Sequence, residues 1–357
     1  MVKYLSPIDP HVHLRGEEYP DSPFLEWGFQ DAKEAGLIGL IEQPNPKPWL
    51  TSKDIIERRL ITSYKSTEGI VHRAHIGLTK SPQRVKNALV SIMRKESGLS
   101  SDKIFYVNST GNMGILDEDY QRWIWNLKGQ FRYNGVSVGH FEDEKGFTGV
   151  FDPIIPITHS LNRPSNSETT QVQRQIKNAR DSKFNGVFYI AHCSSPDTID
   201  FIESERKKLS FNVAIEMTFH HTLLNWKDYQ TNGNRVKMNP PLRSPEKQEK
   251  LLDYFIGSKI PDEWIVIGTD HAPHPIERKD DLNNPASGIP AIPFWPRAIE
   301  IYRNLGISEE RLRKATFYNS NRIFQFGLNP VEVEVKYNLD LWNKYGYNPF
   351  SRKDTTN

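Results

Sequence analysis

Apolar and polar positions along this chain follow two alternating periods. Short, nearly unbroken apolar runs such as Val187-Phe188-Tyr189-Ile190 and Ile265-Val266-Ile267 have the length and the β-branched or aromatic content of buried strands. Between them lie longer stretches whose apolar residues recur every three or four positions, the mark of a helix with one buried face. The pattern predicts strands at 3–10, 36–43, 69–78, 102–108, 135–141, 186–192, 211–218 and 263–270. It predicts helices near 20–34, 52–64, 82–95, 117–127, 167–181, 197–208 and 245–256, with further helical pattern at 294–304 and 308–318. Eight strand-then-helix units predict an α/β fold, a (β/α)8 TIM barrel with parallel strands inside and helices outside.

No low-complexity linker divides the chain, and no short repeat recurs. The long segments 146–164 and 220–243 are rich in Pro, Asn and Gly and read as loops over the barrel mouth. The barrel is expected to occupy residues 1–328. From 329 to 357 the pattern changes. Val331-Glu332-Val333-Glu334-Val335 alternates strictly, which predicts one half-exposed strand outside the barrel, followed by a polar, poorly ordered end.

Composition narrows the classes. The 357 residues are 37% hydrophobic and 25% charged, enough for one large buried core. A formal net charge of +2 leaves no electrostatic footprint for nucleic acid or an anionic membrane surface. Cys193 is the single cysteine, which excludes an internal disulfide and fits a reducing compartment. No apolar run approaches the roughly 20 residues needed to span a bilayer, and the N-terminus enters a strand pattern at once, without a secretory signal. The expectation is a cytoplasmic monomer or homodimer with a small-molecule substrate and neither nucleic-acid nor membrane partner.

Candidate chemistry begins at Asp9-Pro10-His11-Val12-His13-Leu14-Arg15. Residues two apart on a strand share a face, so His11 and His13 point the same way. Most such pairs are ordinary surface or core histidines; the weight here comes from their company. His140, His192 and Asp270 each end a predicted strand, the active face of such a barrel. Four imidazoles and a carboxylate at one rim suit a borderline divalent metal such as zinc. Lys103 opens its predicted strand, and spacing alone does not bring it to the rim. Arg15, two residues after His13, offers a planar fork of donors suited to a carboxylate.

Further blocks follow in order. They are Gln43-Pro44-Asn45, Lys103-Ile104-Phe105 with Ser109-Thr110-Gly111-Asn112-Met113, His140-Phe141-Glu142 and Ala191-His192-Cys193. Next come Glu216-Met217-Thr218-Phe219-His220-His221, Asn239-Pro240-Pro241-Leu242-Arg243 and Thr269-Asp270-His271-Ala272-Pro273-His274. With the opening block, this series resembles the amidohydrolase superfamily, and within it the dihydroorotases, from Ile8 to Phe324.

The resemblance implies that His11, His13 and Asp270 hold one zinc while His140 and His192 hold a second. Lys103, carboxylated by carbon dioxide, would bridge the two. An ammonium has no lone pair and repels cations, whereas a carbamate is an anionic oxygen ligand. The resemblance makes Asp270 the general base and assigns the substrate carboxylate to Arg15, Asn45 and His274. Ser287 and Gly288 would contact a pyrimidine ring, and Thr110 would touch substrate as the 109–113 loop closes; a plain connection is the competing reading of that loop. Glu216 reads as orienting a histidine, His220 and His221 as loop structure, His271 as a supporting residue and Cys193 as a small buried hydrophobe.

The implied activity is reversible hydrolysis of the dihydroorotate ring amide to N-carbamoyl-L-aspartate, a step of pyrimidine biosynthesis. One alternative is another cyclic amidase, a hydantoinase or allantoinase, against which Arg15 argues because those rings carry no carboxylate. The other is a catalytically silent scaffold for an aspartate transcarbamoylase, which would be expected to have lost metal ligands, and none is missing here. Association of an active enzyme with such a partner stays open. Gly16-Glu17-Glu18 and Pro46-Lys47-Pro48 depart from the commonest family forms. Longer family members carry a β-sandwich built from both chain ends. Here the barrel pattern starts almost at Met1, so the sandwich is expected to be reduced to a remnant at 331–335 or absent.

Overall fold

The computed structural model describes residues 1–109 and 111–354. The chain opens with β1 (Val2–Leu5), then enters a barrel formed by β2 (Ile8–Val12), β3 (Gly39–Glu42), β4 (Val71–Gly77) and β5 (Leu99–Phe105). It continues through β6 (Val136–His140), β7 (Val187–Ile190), β8 (Asn212–Met217) and β9 (Ile265–Ile267). These eight barrel strands pair in chain order, all parallel. Parallel neighbours need a crossover, and helices such as Phe24–Glu34, Glu118–Gln130 and Ser165–Asp181 supply it on the outside. The seam between β9 and β2 is closed by a bridge between Val12 and His271, where the His13 amide donates to His271 O at 2.7 Å.

Strand alternation sorts side chains between lumen and helix layer. In β5, Asp102 points outward and meets Lys128 Nζ of helix Glu118–Gln130 at 2.7 Å. Ser101 and Lys103 have the opposite parity; Ser101 meets His75 of β4 at 2.7 Å within the barrel. Ile8, Ile41, Val138, Tyr189 and Val266 join one apolar cluster, plugged by Phe317, Phe324 and Phe326. A larger cluster, with Phe29, Val85, Trp125, Ile176 and Ile190 among its members, fills the space between sheet and helices. Each such side chain contributes about 1.5–3 kcal/mol by leaving water.

The predicted strand 3–10 divides at Ser6-Pro7, since proline cannot donate to a ladder. Its first half is not part of the barrel. β1 pairs antiparallel with β10 (Glu332–Val335), Val2 opposite Val335 and Leu5 opposite Glu332. An N-terminal contribution is therefore present, which corrects the expectation that the barrel begins at Met1. The tail beyond β10 packs as well: Tyr345 donates to Asp31 at 2.5 Å, and Phe350 stacks on Phe294 with centroids 4.1 Å apart. Among the described residues no helix is long and apolar enough to cross a membrane.

Candidate metal centre and substrate cleft

The C-terminal ends of the barrel strands bring the separated histidines together. His11 lies in β2 and His13 just beyond it, while Asp270 follows β9 across the seam. His11 Nε2 and His13 Nε2 stand 3.2 and 3.1 Å from Asp270 Oδ1. One donor atom from each of these three residues lies within 4.8 Å of the others, a spacing that can hold a metal ion. His192, just past β7, has its ring centroid 5.1 Å from that of His11 and 4.4 Å from that of His140, the last residue of β6.

Hydrogen bonds to one ring nitrogen decide which lone pair is offered. His11 Nδ1 donates to Glu216 Oε1 at 2.8 Å and His13 Nδ1 to Asn45 Oδ1 at 2.6 Å, leaving both Nε2 atoms turned toward Asp270. His140 uses the other nitrogen: Nε2 meets Glu142 Oε2 at 2.8 Å, so Nδ1 is the lone pair it could offer. His192 Nδ1 is buried without a hydrogen-bond partner among the described residues. Burial lowers His13 to about 4 and moves His140 and His192 down as well, which keeps the imidazoles neutral near pH 7. Burial pushes the Asp270 carboxyl up, but His11, His13 and His220 outweigh it and hold the group far below the usual carboxylate range.

Three of these residues carry unusual backbone. Arg15, His192 and Asp270 have φ of 60°, 36° and 47°, left-handed values that cost a non-glycine residue about 1–3 kcal/mol. The surroundings impose them: the His192 amide, for example, donates to Glu216 Oε1 at 2.7 Å.

Lys103 corrects the strand prediction. β5 spans 99–105 rather than 102–108, so Lys103 sits near its end instead of opening it. Register places Phe105 beside His140 and Lys103 beside Val138, one pleat deeper. Its Nζ is fully buried with no hydrogen-bond partner, a costly state for an ordinary ammonium. Burial lowers it to about 8, with Glu216 and Asp270 partly opposing.

The cleft above this cluster is lined by Arg15, Asn45, Ser109, Asn239, Ala272, Ser287 and Gly288, among others. Arg15 is 3% exposed; its Nε donates to Pro273 O at 2.8 Å and its Nη2 approaches His274 Nε2 at 2.7 Å. No carboxylate pairs with it among the described residues. Asn45 lines the cleft with Oδ1 turned to His13. His274 also approaches Ser287 O at 2.8 Å. Thr110 lies outside the described residues.

Glu216, read from sequence as orienting a histidine, contacts both His11 and the His192 amide. His221 is tied to Thr218 and to Pro240 O, whereas His220 is buried with neither ring nitrogen bonded. His271 Nδ1 accepts from the Ala291 and Ile292 amides, and Cys193 Sγ turns to Glu168. Sequence reasoning passed over Glu142 and its partner Arg163, and over Tyr19, whose hydroxyl meets His274 Nδ1 at 2.7 Å. Glu142 shares strand parity with His140, a signal that could have found it. Arg163 and Tyr19 sit in loops and left none.

No family model matches the chain. It is 29% identical over 331 residues to a dihydroorotase of Archaeoglobus fulgidus, covering 91% of this chain and 73% of the relative. It is 28% identical over 376 residues to a dihydroorotase of Methanosphaera stadtmanae, covering 97% and 80%. Both relatives are dihydroorotases, and the similarity runs over most of this chain. Among solved structures, an L-hydantoinase from Arthrobacter aurescens matches with a TM-score of 0.74 at 18% identity, over 90% of this chain and 71% of that one. A dihydroorotase of Saccharomyces cerevisiae, in complex with 5-fluoroorotic acid, matches with a TM-score of 0.73 at 18% identity, over 91% and 86%. At such identities these two share the barrel fold with this chain and carry nothing about its substrate.

Proposed function

We propose that this chain hydrolyses the ring amide of dihydroorotate reversibly to N-carbamoyl-L-aspartate, with two zinc ions as cofactors, in pyrimidine biosynthesis. His11, His13 and Asp270 would hold one ion and His140 and His192 the other, with Lys103 bridging them as a carbamate. The donor set supports this, because two imidazole nitrogens and the Asp270 carboxylate lie within 4.8 Å of one another, while Lys103 Nζ and His192 Nδ1 are buried with no hydrogen-bond partner among the described residues. An amine lowered to about 8 can add carbon dioxide, losing a proton as the N–C bond forms. When bound, such a metal pair lowers the pKa of water and polarises a carbonyl.

The protein's own groups supply the rest. Asp270 takes a proton from the attacking water as its oxygen adds to the ring carbonyl, and returns it to the ring nitrogen as the C–N bond breaks. Glu216 and Glu142 hold their histidines in one tautomer. Arg15, with Asn45 and His274 beside it, receives the ring carboxylate, and the backbone at Ser287 and Gly288 meets the ring.

One observation carries the choice of substrate: Arg15 is buried in the cleft wall with no ion-pair partner among the described residues. A neutral ring would leave that charge uncompensated, at a cost of about 1–3 kcal/mol. The test is turnover of dihydroorotate against hydantoin and allantoin by the zinc-loaded protein. Dihydroorotate should lead by a wide margin; preference for either neutral ring overturns the reading.

A further inference from the structure

Two buried lysines that no step above uses converge on the loop walling the substrate cleft. Lys279, 0% exposed, donates from Nζ to Lys237 O at 2.9 Å, Ala286 O at 2.9 Å and Gly288 O at 2.8 Å. Lys237, 7% exposed, donates from Nζ to Pro285 O at 2.8 Å and Ser287 Oγ at 2.6 Å, with the Phe151 ring 5.1 Å away. His274 Nε2 faces the remaining carbonyl, Ser287 O. Every carbonyl from Pro285 to Gly288 is thus met by a basic side chain. The loop closes on itself as well, the Gly288 amide donating to Lys237 O at 2.9 Å.

The protonation follows from geometry. Three carbonyls around one nitrogen need three protons, which only an ammonium carries; a neutral amine has two. Burial, with Lys237 and Arg15 nearby, pushes the Lys279 pKa down, with Asp280 partly opposing; the three carbonyls accept best from the charged form. Neither lysine forms an ion pair among the described residues. The loop they fix touches the substrate clamp directly. Gly288 has φ of 131°, and a Cβ there would lie 2.5 Å from Ala272 O and 3.1 Å from Arg15 Nη2. The loop thus packs against Arg15 with no room for a side chain between them, so a shifted loop displaces the guanidinium or frees it.

We propose that Lys279 and Lys237 are positioning residues for recognition of an anionic ring: they hold loop 285–288 against Arg15 and His274, so the carboxylate meets a preset clamp. This rests on the substrate reading above. Lys279→Met and Lys237→Met remove the amino group while keeping most of the side-chain volume. Each should raise KM for dihydroorotate by about 10-fold or more, with kcat within about 3-fold. Constants for dihydrouracil, the same ring without the carboxylate, followed as substrate or competitive inhibitor, should stay within about 3-fold. A purely structural role would lower the active fraction, so that kcat falls at constant KM.

An unchanged KM in folded variants, a loss confined to kcat, or equal effects on both rings overturns the proposal. Lys237→Met, at the less buried position, decides if Lys279→Met does not fold. Amide hydrogen exchange of wild-type residues 286–289 needs no variant: strong protection is expected, and exchange at the rate of an open loop also overturns it. A folded wild-type protein that ignores dihydroorotate defeats the functional reading instead, leaving the exchange result to judge the pinned loop alone.

Discussion

At the scale of single residues, the centre is built from pairs: a group that acts and a group that aims it. Asp270 is the proposed base, so Asp270→Asn should preserve the fold and lower kcat by about 100-fold or more. A Tm matching wild type together with near-normal turnover would remove the base assignment. Arg15→Lys tests the clamp, because an ammonium cannot reproduce a planar two-point contact. KM for dihydroorotate should rise with little change in Tm, and an unmoved KM would mean that Arg15 does not meet the carboxylate. Glu216 is the aiming partner, bonded to His11, to the His192 amide and to Tyr189. Glu216→Gln should weaken zinc binding about 10–100-fold, read by competition with a chelator. The acting residues were legible because histidine, aspartate and arginine in strand-end blocks announce chemistry. Of their partners Glu216 was read, from its place at a strand's end, whereas Glu142 was given no role although it shares strand parity with His140. Lys237 and Lys279 gave no such sign, since a lysine in a polar loop looks like any solvated surface group until three carbonyls close around it.

At the scale of elements, hydrophobic period located all eight barrel strands, because a parallel strand covered on both faces reads as an unbroken apolar run. Ends were less visible. β5 begins at Leu99, earlier than predicted, because Ser100, Ser101 and Asp102 interrupt the apolar run and hide the strand's first half. Asp102 is tolerated there because Lys128 and Ser137 satisfy it at 2.7 and 3.0 Å in the layer between sheet and helix. Both charges of this pair are fully buried, with Lys128 Nζ 4.5 Å from the Trp125 ring. Lys128→Met should therefore cost about 3–5 kcal/mol in denaturant unfolding, by stranding the Asp102 charge. Adding Asp102→Asn should recover much of that loss; a single variant as stable as wild type would show the pair to be dispensable.

At the scale of the whole molecule, the barrel is closed by its weakest junction, and the proposed metal ligands His11, His13 and Asp270 straddle it. Elsewhere neighbouring strands share ladders of several residues, but β9 and β2 meet through the Val12–His271 bridge and a few bonds from Asp9 and His13. Asp9 accepts from the Thr269 amide at 3.1 Å and its hydroxyl at 2.5 Å, across a sequence separation of 260 residues. His11 and His13 stand on the β2 side and Asp270 on the β9 side, so an ion held by all three ties the first barrel strand to the last. A ligand that binds only the closed barrel stabilises it by about 4 kcal/mol at a thousandfold excess over Kd. At about 2 °C per kcal/mol for a large domain, removing zinc should lower Tm by about 8 °C, and restoring it should return the loss. Hydrogen exchange in the chelated protein should quicken first at residues 8–13 and 268–272, while β4 to β7 stay protected. If chelation leaves both Tm and seam exchange unchanged, no metal bridges this junction, and the barrel closes on hydrogen bonds alone.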